Sequence, residues 1–413
     1  MATSEITEFD PTIPKEEVDR LWRKLRDTRL PETPVVPGAG DDYGPPLDWV
    51  HKLFAAWRDD FDWPAAQRRI DRWKHYTTVI EDLRIHFVHQ PAKQHQRTAS
   101  SAALTPIPLL LVHGWPGSWY EFSRVIDPLS NPGSEETQAF HVVAASLPGF
   151  TWSAGPPRGW TLQDTARVFD ALMKRLGYAR YAVQGGDWGD WGHWVVRELA
   201  GGNAASYQDS CKAAHTNMCP SMPPVPKEEQ GERERVAQRM TDWWMGTPGN
   251  EGHMGYAVEM RTRPQTIGIA LSDSPLGILA WVGEKYYELV DPKYHSLDEN
   301  DNNDFVDDVC TTLCLYFFTP PSIMTSALCY TNNVRHEDYV AFNARPENAI
   351  RAPFGVSSFR YDVAPVSRRA AATTGNCRWF REHEGGGHFA ALEEPSKLVQ
   401  DLRECFTAIW PMQ

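Results

Sequence analysis

The chain has 413 residues, 41% of them hydrophobic, with 17 tryptophans and a formal net charge of −13. That supplies the core of one large domain with insertions, or of two domains, and excludes a disordered chain. The acidic balance argues against a nucleic acid or an anionic membrane surface as the main partner. Seven cysteines are scattered without zinc-ribbon or disulfide-framework spacing, so buried thiols in a reducing, cytoplasmic compartment are expected. Met1–Asp10 carries three acids and no basic apolar run, and no apolar window reaches spanning length. Neither a signal peptide nor a membrane anchor is expected.

Val18, Leu21, Trp22 and Leu25 predict an amphipathic helix over Pro14–Arg29. A proline- and glycine-rich connector, Leu30–Pro46, leads to two further helices over Leu47–Trp57 and Trp63–Trp73. Tyr76–Ile80 and Leu83–His89 alternate as a hairpin about Glu81-Asp82. Leu109–Val112 is a short apolar strand that runs into His113-Gly-Trp-Pro-Gly-Ser118, with a helix expected over Trp119–Ile126. His141–Ser146 is the next strand, Leu162–Leu176 a helix and Tyr181–Val183 a strand. Strands alternating with helices indicate a mostly parallel sheet flanked by helices. From Cys219 the character changes: a proline-rich exit, a charged helix over Lys227–Met240, then aromatic helical stretches at Tyr256–Tyr287 and Phe305–Tyr330. This reads as a helical cap inserted in the core. The core pattern resumes at Pro353–Phe359 and Cys377–Glu382 and ends in a helix, Lys397–Trp410. The expected division is a helical extension with the first strands at 1–100, core at 101–220, cap at 221–335 and core again at 336–413.

Gly185-x-Asp187-x-Gly189 follows its strand with the spacing of a nucleophile elbow, carrying Asp in place of Ser. Glycine-flanked acids also occur in plain turns, but two other segments support the elbow. His113–Gly117 is an oxyanion-type loop after its own strand, and His388 follows three glycines after the last strand. An aspartate in such an elbow attacks carbon directly and becomes an ester. A histidine base needs a carboxylate to fix its tautomer. Asp362 follows the penultimate strand, although position alone leaves other acids in contention. His383-Glu384…His388 lacks zincin spacing, and Asp298–Asp308 lacks the glycine and final glutamate of an EF-hand.

Three segments together resemble the epoxide hydrolases of the microsomal type, within the α/β-hydrolases. They are His113-Gly-Trp-Pro-Gly-Ser-Trp-Tyr-Glu-Phe122, Gln184-Gly-Gly-Asp-Trp-Gly189 and Gly386-Gly-His-Phe-Ala-Ala-Leu-Glu-Glu-Pro395. The N-terminal Arg29-Leu-Pro31, Trp57 and Phe61-Asp-Trp63 are similar to the family's helical prefix. The resemblance implies an α/β-hydrolase fold with a helical cap, Asp187 as nucleophile, His388 as base and Asp362 as its acid. It further implies Tyr256 and Tyr330 as epoxide-activating phenols, with Tyr316 the rival of Tyr330, and backbone N–H groups of Trp115 and Trp188 as oxyanion donors. The expected reaction is hydrolysis of a hydrophobic epoxide to a vicinal diol, with no cofactor or metal. Arg72-Trp-Lys-His75 and Phe150-Thr-Trp152-Ser depart from the family pattern, and Trp152 is expected to narrow the substrate pocket. Other readings are a haloalkane dehalogenase, with Trp188 as halide donor, an epoxide-opening cyclase and a non-catalytic binding protein on this fold. A homodimer is the commonest assembly for such a chain and is expected on that ground alone.

Overall fold

The computed structural model describes residues 5–93, 104–134, 136–187, 192–201, 207–219, 231, 252–297, 303–333 and 348–411. Its centre is a nine-stranded sheet in the order β1-β2-β3-β5-β4-β6-β7-β8-β9. The strands are β1 Thr7–Phe9, β2 His75–Ile80, β3 Leu83–Gln90, β4 Ile107–Val112, β5 Phe140–Ala145, β6 Tyr181–Gly185, β7 Cys211–Thr216, β8 Ile350–Phe359 and β9 Gly375–His383. β1, β2, β3 and β5 pair antiparallel in sequence. β5, β4 and the strands beyond them are parallel. The parallel strands β4 and β6 are almost wholly apolar and buried, as strands covered by helices on both faces must be. Glu81 and Asp82 both have positive φ, 51° and 63°, the backbone of a tight hairpin turn. β1 has only three residues, too few for alternation to mark it in the sequence.

The cap helices are shorter than their aromatic content suggested, and prolines explain where they break. Gly255–Thr262 stops before Pro264, which starts Pro264–Leu271, and Pro275 starts another short helix. Asn303–Phe318 ends at Pro320-Pro321, before Ser322–Thr325 and Leu328–Asn332. Every residue from Asp308 to Thr319 is buried, so this helix is enclosed on all sides and shows no amphipathic period. The helix expected over Lys227–Met240 lies, apart from residue 231, outside the described residues. Among the described residues no single helix is long and apolar enough to cross a membrane. All seven cysteines are unpaired thiols, six of them buried.

The N-terminal helices clasp cap and core together. Lys15–Asp27 buries Leu21 and Leu25, and its Arg20 and Lys24 both reach Asp273 of the cap. Trp57 is fully buried, and its indole N–H meets Cys314 Sγ at 3.2 Å. Trp63 packs edge-on to Phe318 at 4.7 Å. Trp73 donates to Asp127 of the core at 2.8 Å. On the core side, Tyr120 Oη and Arg124 Nε both donate to the buried Asp308 of the long cap helix, at 3.0 and 2.5 Å. These contacts fix the cap over the carboxyl ends of β4 and β6, where the crevice of a parallel sheet lies.

Candidate active site

β6 ends at Gly185, and two residues later Asp187 sits at φ 84°. A non-glycine residue holds that conformation only where its surroundings over-determine it. Here the determinants are visible. Trp115 N–H, in the loop after β4, donates to Asp187 Oδ2 at 2.6 Å. A Cβ on Gly114 would lie 1.8 Å from Oδ2, and one on Gly186 would lie 2.4 Å from Asn217 Oδ1. Both glycines are therefore required by close approach. His113 builds the loop beneath Trp115. Its Nε2 accepts from Leu147 N–H at 3.1 Å, so Nδ1–H donates to Gly114 O at 3.0 Å. Burial pulls its pKa down to about 4, so it serves as a neutral brace.

The histidine loop approaches from β9. Gly386 has φ 87°, and a Cβ on Gly387 would lie 2.5 Å from Leu289 O. His388 N–H donates to that same carbonyl at 2.9 Å. Buried Glu393 ties the loop to the cap, accepting N–H bonds from Asp291, Gly387 and Phe389 at 2.8–2.9 Å. His388 Nδ1 lies 2.8 Å from Asp362 Oδ1, and Nε2 lies 3.2 Å from Asp187 Oδ1. Burial alone would lower the His388 pKa, but the charges and hydrogen bonds of Asp362 and Asp187 outweigh it and hold it well above the ordinary value. The two carboxylates thus favour the protonated imidazole, with Nδ1 and Nε2 each placed to donate to one of them.

The cap places Tyr256 and Tyr330 over this centre. The Tyr256 ring stacks on Trp115 at 5.0 Å and 12°. Tyr330 meets Trp115 edge-on at 6.1 Å and Tyr256 at 5.9 Å. The rival Tyr316 is buried in the long cap helix beside Ser326. Trp188, the other expected oxyanion donor, lies outside the described residues. Trp152 departs from expectation. Its ring packs on His86 at 4.8 Å, Phe9 at 5.4 Å, His75 at 5.7 Å and Trp119 at 6.2 Å. None of these partners is a triad or cap residue. Thr151, at φ 43° and with its N–H on Ser322 Oγ, turns the chain so that Trp152 faces the N-terminal strands.

Three residues near the centre had no local signal in the sequence. Asn217, after β7, accepts from Gln184 at 2.9 Å and donates to His388 O at 3.4 Å, joining elbow and histidine loop. Lys285 is buried against Tyr256. Glu121 folds its carboxyl under the oxyanion loop, so that a Cβ on Gly117 would lie 2.1 Å from Oε2. Burial pushes its pKa up to about 8, opposed by the His388 cation and reinforced by Asp187. The protonated form of Glu121 is thus favoured, which limits the negative charge beside Asp187.

Two outcomes follow from this packing. Gly114→Ala displaces Asp187 from Trp115 N–H, and turnover falls by about 100-fold while thermal unfolding changes little, as steady-state kinetics and calorimetry will read. Glu121 favours its protonated form in the folded chain, so it costs stability as pH rises from the ordinary glutamate range towards its folded pKa. The thermal midpoint of Glu121→Gln relative to wild type is therefore higher at pH 8 than at pH 4, by several degrees. An unchanged difference contradicts the assignment.

Comparison with known proteins agrees with this architecture. Residues 6–122 match the family model "Epoxide hydrolase N terminus", and residues 107–189 match "alpha/beta hydrolase fold". The Aspergillus niger epoxide hydrolase structure is 34% identical with a TM-score of 0.81, covering 99% of this chain and 98% of that one. The juvenile hormone epoxide hydrolase of the silkworm Bombyx mori is 26% identical with a TM-score of 0.83, covering 98% and 95%. Epoxide hydrolase 1 of Oryctolagus cuniculus is 29% identical over 94% of this chain and 85% of its own length. The dehalogenase reading loses its ground against these relatives. An elbow aspartate, a histidine loop, a capped mixed sheet and end-to-end similarity converge: the chain belongs to the epoxide hydrolase family and is an epoxide hydrolase of α/β-hydrolase fold.

Proposed function

We propose that this enzyme opens a hydrophobic epoxide through a covalent ester on Asp187 and releases a vicinal diol. The observation that carries the proposal is the division of labour on one carboxylate. Asp187 Oδ2 is held by Trp115 N–H while Oδ1 faces His388 Nε2. Oδ1 is the attacking atom, and Oδ2 becomes the ester carbonyl oxygen, already on the donor that stabilises a tetrahedral oxyanion. An epoxide oxygen leaves only when it gains a hydrogen bond or a proton. Tyr256 and Tyr330 are neutral donors for it.

The first step changes the second residue's chemistry. Once Oδ1 is esterified, Asp187 carries no charge, and one of the groups that hold His388 protonated is gone. Its pKa falls, the imidazolium releases its Nε2 proton to solvent, and Nε2 becomes a base for water while Asp362 keeps the tautomer through Nδ1. Water adds to Asp187 Cγ, and collapse frees the diol oxygen. The Trp115, Tyr256 and Tyr330 rings make the approach apolar, which suits an epoxide carrying a hydrocarbon or aryl substituent.

In His388→Gln the ester forms and persists, because alkylation needs no base. Mass spectrometry after mixing with a reactive aryl epoxide is expected to show the adduct on the Asp187 peptide, and Asp187→Ala to show none. An adduct on another residue sinks the assignment.

A further inference from the structure

Lys285 is 1% exposed and lies on the short cap helix Glu284–Glu288. Its Nζ meets Glu284 Oε1 at 2.5 Å and Glu288 Oε2 at 2.7 Å. The same Nζ stands 4.1 Å from the centroid of the Tyr256 ring. Glu288 Oε1 pairs with His253 Nδ1 at 2.9 Å, and His253 directly precedes the Tyr256 helix. A buried lysine is costly unless it is paired, and here two carboxylates pair it. Two would anchor an ammonium anywhere in the cap. What needs explaining is that this one lies against the ring that stacks on Trp115, the residue whose N–H holds the nucleophile.

We propose that Lys285 is a positioning residue that polarises Tyr256 as the proton donor to the epoxide oxygen. The inference rests on the role given to Tyr256 above. As Oδ1 of Asp187 forms its bond to carbon, the breaking C–O pair moves to the epoxide oxygen, which takes the proton from Tyr256 Oη. Negative charge then spreads over the phenolate ring, directly beneath a desolvated cation. The attraction between ring and ammonium is stronger for a phenolate than for a phenol, so it is greater in the transition state than before it. In the second step water loses two protons, one through His388 to the released diol oxygen and one back to Tyr256; His388 then regains from solvent the proton it gave up after esterification, which closes the cycle. Among the described residues, Lys285 lies against the Tyr256 ring, Glu284, Glu288 and His253 are joined to it through the cap network, and Asp187 lies across Trp115.

The test is rapid-quench kinetics on the full-length enzyme, reading ester on the Asp187 peptide and then its decay, from neutral to alkaline pH. Lys285→Met is expected to slow ester formation about tenfold and to leave ester hydrolysis within about twofold. The alkaline loss of ester formation, which requires protonated Tyr256, moves to higher pH. Lys285→Arg, which keeps the cation, restores most of the rate. In a Tyr256→Phe background, Lys285→Met has no further effect on ester formation. A merely structural lysine would lower both steps together, leave the alkaline limb in place and act equally in the Tyr256→Phe background; any of these overturns the inference. Should Lys285→Met not fold, Glu288→Gln removes one counter-charge, and the alkaline limb moves to lower pH; an unmoved limb overturns the inference. Absence of ester on Asp187 in the wild-type enzyme defeats the covalent mechanism itself. Ester formed by Lys285→Met at the wild-type rate defeats only the present inference.

Discussion

One carboxylate joins the three parts of this molecule. Asp187 takes a hydrogen bond from Trp115 N–H, faces the His388 imidazolium, and does so from a backbone at φ 84°. Each of these demands something of a distant segment. The hydrogen bond needs Gly114, because any side chain there would occupy the space of Oδ2. The imidazolium needs Asp362 on its far nitrogen and a loop that can pass close to Leu289 of the cap. The strained backbone needs a sheet rigid enough to impose it, and buried, wholly parallel β4 and β6 provide that.

The cap is attached through the same centre. His388 N–H and Glu393 bind it at Leu289 and Asp291, while Trp115 carries the two cap tyrosines on its indole. The N-terminal helices hold the cap from the other side, through Trp57, Trp63 and the ion pairs to Asp273. Cap and core thus meet across a surface that includes the catalytic groups. A change in cap position is a change in the distance from phenol to carboxylate. Charge is managed with equal economy. Two carboxylates face one imidazolium, and a third acid, Glu121, is kept neutral by burial. In the proposed mechanism, esterification of Asp187 upsets this balance and turns His388 from a cation into a base.

The sequence made the elbow, the oxyanion loop and the histidine loop legible, because each is a local pattern of glycines whose spacing is set by close backbone approach. The hairpin at Glu81-Asp82 and most strands were legible for a similar reason, since their signals lie within a few residues. What escaped depends on contacts between segments far apart in the chain. Lys285 and Tyr256 are neighbours only after the cap folds, and nothing near Glu121 in sequence announces a carboxyl folded under the oxyanion loop. Asn217 reads as an ordinary residue after a strand until Gln184 and the carbonyl of His388 are seen on its two ends. Trp152 was misdirected by its bulk: the positive φ at Thr151 turns it to the N-terminal strands.

In the proposed mechanism the oxygen delivered to the substrate comes from Asp187 and not directly from water. A single turnover in oxygen-18 water, with enzyme in excess over epoxide, measures this without any variant. An unlabelled diol and one oxygen-18 atom in the Asp187 carboxylate are expected. A labelled diol from the first turnover, with Asp187 unlabelled, would contradict it.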